Sequence, residues 1–119
     1  MPQFAVLIYS RDSAHAPDAT PDDLAEPDGH ADELRAQEAL LAAYAFTPRA
    51  LARSVRVDGV SDGPFVDSPE VVAGVYVIEA VDLDDAVRIA ATDPVARTPG
   101  GGVEVRPVHS GGGIRPPRT

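Results

Sequence analysis

Apolar and polar positions divide the chain into short alternating blocks. Phe4-Ala5-Val6-Leu7-Ile8-Tyr9 is a continuous apolar run and predicts a strand covered on both faces. A polar loop from Arg11 to Thr20 follows. Thr20-Pro21-Asp22-Asp23 then reads as a helix start, with Thr20 as cap, Pro21 in the first position and two acids at the positive end. Pro27 interrupts it, and Asp28 caps a second start that carries helix from Gly29 to about Glu38. Ala39 to Phe46 is ambiguous by periodicity: its alanines and leucines favour helix, whereas Tyr44, Phe46 and the following Thr47-Pro48 suit a strand ending in a turn.

Further along, Ser54-Val55-Arg56-Val57 alternates as a half-exposed strand and Asp58-Gly59 marks a turn. Val75-Tyr76-Val77-Ile78 is the clearest interior strand. Asp82 caps a second helix with Leu83, Ala86, Val87 and Ala90 on one stripe and Pro94 beyond its end. Gly100 to Gly102 lead into Val103-Glu104-Val105-Arg106, another half-exposed strand. From His109 to Thr119 the chain is Gly-, Pro- and Arg-rich with little to bury, so the expected division is a domain over 1–108 and a flexible tail over 109–119.

The order β, α, β, an added hairpin arm, β, α, β predicts an α+β fold: a ferredoxin-like βαββαβ antiparallel sheet with both helices on one face. Two helices cover one face only, yet the central strands are apolar on both. The uncovered side would exceed the roughly few hundred Å² of contiguous apolar surface that monomers tolerate. The simplest cover is a second copy, so the expected assembly is a homodimer packed sheet against sheet.

Composition narrows the partners. The 119 residues carry a formal charge of −9, which argues against nucleic acid and against an anionic membrane surface. No run of about 18 apolar residues and no basic-then-apolar leader is present, so a cytoplasmic protein is expected, and the Ala, Arg, Asp, Val and Pro bias resembles that of a GC-rich bacterial genome. Cysteine is absent, which removes disulfides, thiol catalysis and thiolate metal sites. Lysine is absent too, which excludes Schiff-base chemistry and a lysine-bearing phosphate loop.

Asp62-Gly63-Pro64-Phe65 resembles the signature of the YCII-related family, in its DGPF-domain branch. The likeness extends over most of the chain: the opening strand, a histidine in the first helix, Ser54-Val55-Arg56, Gly74-Val75-Tyr76-Val77-Ile78-Glu79, Asp82-Leu83-Asp84-Asp85-Ala86 and the closing Val103 to Val108 stand in the family's order. Departures are Ser68-Pro69-Glu70 in place of threonine-lysine-glutamate, the break at Pro27, and Ala42-Ala43 in place of a glycine pair. The resemblance implies that Leu40 to Phe46 is a strand and that the fold is a dimeric α+β barrel. It also implies small-molecule enzymology through a histidine and aspartate pair, although the DGPF branch is widely without assigned function and sometimes accompanies extracytoplasmic-function sigma factors.

His30 and Asp62 are the positions that match that pair. His30 shares a helical stripe with Leu34 and Gln37, so its ring is expected to face the sheet, with Asp62 fixing its tautomer as His30 acts as base. The bland alternatives are a locally hydrogen-bonded histidine and an Asp-Gly turn whose carboxylate binds its own backbone. Arg56 and Arg106 suit either an anionic ligand or cross-strand pairing with Glu79 and Glu104, with pairing favoured, and Tyr76 suits interior filling or a pocket wall. No metal or cofactor is expected: His15, His30 and His109 lack ligand spacing, Asp58 to Glu70 does not match a calcium loop, and Gly100 to Gly102 has no phosphate-site context. The leading expectation is a pocket that binds a small organic molecule. The rival is a non-catalytic interaction or regulatory module.

Overall fold

The first strand, β1 (Gln3–Ser10), runs through the middle of the sheet because its residues are apolar on both faces. The computed structural model describes residues 1–15, 17–20, 29–30, 32–35 and 39–112. Residues 29–30 and 32–35 are helical and form α1. The start expected at Pro21, the break at Pro27, the cap at Asp28, the helix end at Glu38 and residues 113–119 of the tail lie outside the described residues.

The chain continues through β2 (Leu40–Ala45), a 3-10 turn at Arg49–Leu51, β3 (Arg53–Arg56), β4 (Gly59–Asp62), β5 (Val71–Glu79), α2 (Leu83–Ala90), a second 3-10 turn at Pro94–Arg97, and β6 (Gly102–Pro107). The main sheet has the order β2-β5-β1-β6, and each of its pairings is antiparallel. This is the ferredoxin-like α+β arrangement, with the β3–β4 hairpin as a separate two-stranded arm between β2 and β5. Arg56 pairs with Gly59, so Val57 and Asp58 form the hairpin tip. Gly59 begins the return strand at φ 137°, a conformation that favours glycine.

Register divides the sheet into two faces. Phe4 and Val6 of β1 stand opposite Ile78 and Tyr76 of β5, and all four are buried. Leu34 from α1 and Ala86, Ile89 and Ala90 from α2 complete the core. The alternate positions Ala5, Leu7, Val75 and Val77 project to the other face and are only half-buried.

Helix α2 is capped as expected: Asp85 N–H donates to Asp82 Oδ1 at 2.8 Å, and Val81 N–H donates back to Asp85 Oδ2 at 3.0 Å. Its buried stripe differs from the expected one. Ala86, Ile89 and Ala90 are buried, whereas Leu83 and Val87 are exposed. Successive residues turn by about 100°, so choosing Ile89 over Val87 rotates the core face toward the sheet and leaves Leu83 and Val87 on its margin. None of the described helices is long and apolar enough to cross a membrane.

Candidate functional site

Helical spacing brings His30 and Leu34 to the same face of α1, and both are buried, His30 with only 7% of its surface exposed. The ring reaches the C-terminal end of α2. There Thr92 N–H donates to the Ile89 carbonyl, and Asp93 N–H donates to that of Ala90. His30 Nε2 lies 3.0 Å from Thr92 Oγ1, and His30 Nδ1 lies 3.6 Å from Asp93 Oδ2. Asp93 is itself held, since its Oδ1 accepts from Val95 N–H at 3.0 Å and caps the following turn.

Beside this group is a cavity of about 540 Å³, lined by His30, Tyr76 and Asp93 together with apolar side chains such as Ile8, Leu34 and Val95. Tyr76 projects from β5, is 4% exposed, and its hydroxyl has no hydrogen-bond partner among the described residues. The Tyr76 and His30 rings meet edge to face with centroids 6.0 Å apart. Burial, with the nearby Asp93 carboxylate adding to it, pushes the phenol above its ordinary range, so the O–H keeps its proton. Arg35 also lines the cavity, and its guanidinium pairs with Asp32 at 3.1 Å.

Residues 3–110 match the YCII-related domain. The chain belongs to the YCII-related family. No curated protein matches it. Within this chain, His30 and Asp62 share no hydrogen bond or ion pair. Asp62 ends β4 in the separate hairpin arm, with its side chain 86% exposed and 3.7 Å from Arg53. The carboxylate beside His30 is Asp93 instead.

Asp62-Gly63-Pro64-Phe65 builds its own loop. Gly63, at φ 99°, donates its N–H to the Ala52 carbonyl, and its own carbonyl accepts from Ser54 Oγ at 2.8 Å. Arg56 does not line the cavity beside His30. It donates to the Phe65 carbonyl at 2.8 Å and lies 3.8 Å over the Phe65 ring. The expected partner Glu79 is thereby replaced, while Arg106 does approach Glu104, at 3.8 Å. A second hollow of about 590 Å³, lined by Tyr9, Phe46, Arg49, Phe65 and Val66 among others, lies beside this loop.

Thr92 and Asp93 were missed in the sequence because Thr92-Asp93-Pro94 reads simply as a helix stop. A signal was present. An aspartate before proline announces a cap, and the βαββαβ topology sets the two helices antiparallel, with the end of α2 beside the beginning of α1. Among the described residues no cluster of three or more side chains suited to a metal ion occurs.

Proposed function

We propose that this YCII-related protein binds a small organic molecule in the cavity beside α1, and that His30 and Asp93 act there as an acid-base pair. The observation that carries this is a buried histidine on a cavity wall, with a carboxylate 3.6 Å from one ring nitrogen and a hydroxyl 3.0 Å from the other. Thr92 orients the ring through one nitrogen, and the carboxylate stands beside the other, where it would stabilise the protonated ring. Asp62 serves the hairpin rather than the chemistry.

We further propose that two copies pack sheet to sheet as a dimeric α+β barrel. Support comes from the apolar outer face at Ala5, Leu7, Val75 and Val77, which has no covering layer among the described residues. A second reading, an interaction or regulatory module, draws on the hairpin arm and the loop after it, where Val55, Val57, Val60, Phe65 and Val66 are all exposed.

A screen of small molecules for a rise in melting temperature, repeated on His30→Ala and Asp93→Asn, tests the two. Compounds that stabilise the wild type and lose their effect in both variants support the cavity. Compounds unaffected by either change, or none that stabilise, favour the module.

A further inference from the structure

Hydrogen-bond direction settles which nitrogen of His30 is free to accept. Thr92 Oγ1 lies 2.7 Å from the Ile89 carbonyl, which can only accept, so the hydroxyl proton is committed there. Toward His30 the same oxygen then acts as acceptor, and Nε2 must be the protonated nitrogen. In the neutral ring this leaves the lone pair on Nδ1, facing Asp93 Oδ2 at 3.6 Å, beyond the usual range of a hydrogen bond. Oδ1 of Asp93 is already occupied by Val95 N–H. Two acceptors therefore stand side by side on a cavity wall with no donor between them. Tyr76, on the same cavity, holds an O–H without a partner among the described residues.

We propose that Thr92 fixes His30 as the Nε2–H tautomer, and that the cavity takes a small apolar molecule through a hydroxyl group. The ligand O–H donates its one proton to Nδ1 or to Asp93 Oδ2, and its oxygen accepts from Tyr76. An alcohol, phenol or enol supplies both the donor and the acceptor. A carboxylate accepts from Tyr76 but meets the like charges of Asp93 and Asp12, which also lines the cavity, and Arg35 already pairs with Asp32. The ligand class rests on the cavity reading above; the tautomer does not. Thr92 is a positioning residue, acting through His30.

Long-range proton–nitrogen correlation spectra of the histidine-labelled full chain at about pH 8, above the ordinary histidine range, test the tautomer. The wild type and Thr92→Ser are expected to show His30 as Nε2–H, and Thr92→Val to shift it toward Nδ1–H donating to Asp93. A wild-type ring that is Nδ1–H or doubly protonated, or a Thr92→Val spectrum unchanged from wild type, overturns the assignment. Should Thr92→Val fail to fold, the wild-type and Thr92→Ser spectra decide. Phenol and benzoate, added separately, then test the ligand class by the shift of the His30 nitrogen signals. Phenol is expected to bind at least roughly tenfold more tightly, about 1.4 kcal/mol. Benzoate binding as well as phenol overturns the hydroxyl class, and neither probe moving His30 overturns the cavity reading while the tautomer stands.

Discussion

His30 Nδ1 and Asp93 Oδ2 lie 3.6 Å apart, joining the first helix to the turn after the second. Asp93 has two tasks, capping the turn at Pro94–Arg97 and facing the ring, and two substitutions separate them. Asp93→Asn keeps an oxygen for Val95 N–H and is expected to preserve most of the stability while removing the charge beside His30. Asp93→Ala loses both, with an expected cost of about 0.5–2 kcal/mol from the cap alone. Urea unfolding of the two variants checks this; equal losses would show that the cap contributes nothing.

Tyr76→Phe removes a buried hydroxyl that has no partner among the described residues. Leaving such a group unsatisfied costs about 1–3 kcal/mol, so the ligand-free variant is expected to unfold at the same or a higher denaturant concentration than wild type. A clear loss of stability would mean that the hydroxyl has a partner after all.

Asp85 accepts from Val81 N–H and then from Arg88, and these bonds hold its carboxyl below the ordinary aspartate range. A carboxyl lowered on folding contributes its stability in full above about pH 4 and loses it as pH falls through the folded value. Wild type should therefore lose melting temperature on acidification below about pH 4 more steeply than Asp85→Asn. Parallel curves for the two proteins would remove Asp85 from the acid response.

The outer sheet face tests the assembly. Sedimentation equilibrium is expected to find wild type as a dimer, and Leu7→Arg, at the centre of that face, as a folded monomer or a much weaker dimer. A buried unpaired charge is costly enough for one arginine to suffice. A wild-type chain that stays monomeric at high concentration would end the proposal of a barrel built from two sheets.

In the DGPF loop, Gly63 sits at φ 99° with open space where a side chain would go. Gly63→Ala is expected to cost roughly 1–2 kcal/mol through backbone conformation alone. Measured by chemical unfolding, a change below a few tenths would show that the loop relaxes freely.

Much of this architecture was legible in the residues. Continuous apolar runs marked β1 and β5, and Asp82 marked the start of α2, because burial and capping are local demands written into neighbouring positions. Strand β2 was not legible by composition: Leu40, Leu41, Ala42 and Ala43 are good helix formers. Pairing along β5 overrides their preference, and only the family resemblance implied it. The hairpin arm was legible as alternation, but its detachment from the main sheet was not. The site was half legible. His30 stood out by spacing, while its partner depended on how two helices lie against each other, and Asp62 drew attention because its motif is conspicuous rather than because it is close.

Arg49 shows how these parts are joined. Its guanidinium donates to the carbonyls of Arg11, Ser68 and Pro69, and its backbone N–H donates to Asp12 Oδ1 at 2.8 Å. Asp12 borders the hollow beside His30, and Arg49 borders the one beside Phe65. The linings of the two chambers are thus tied together, by that N–H bond and by Ser13 Oγ donating to the Phe46 carbonyl.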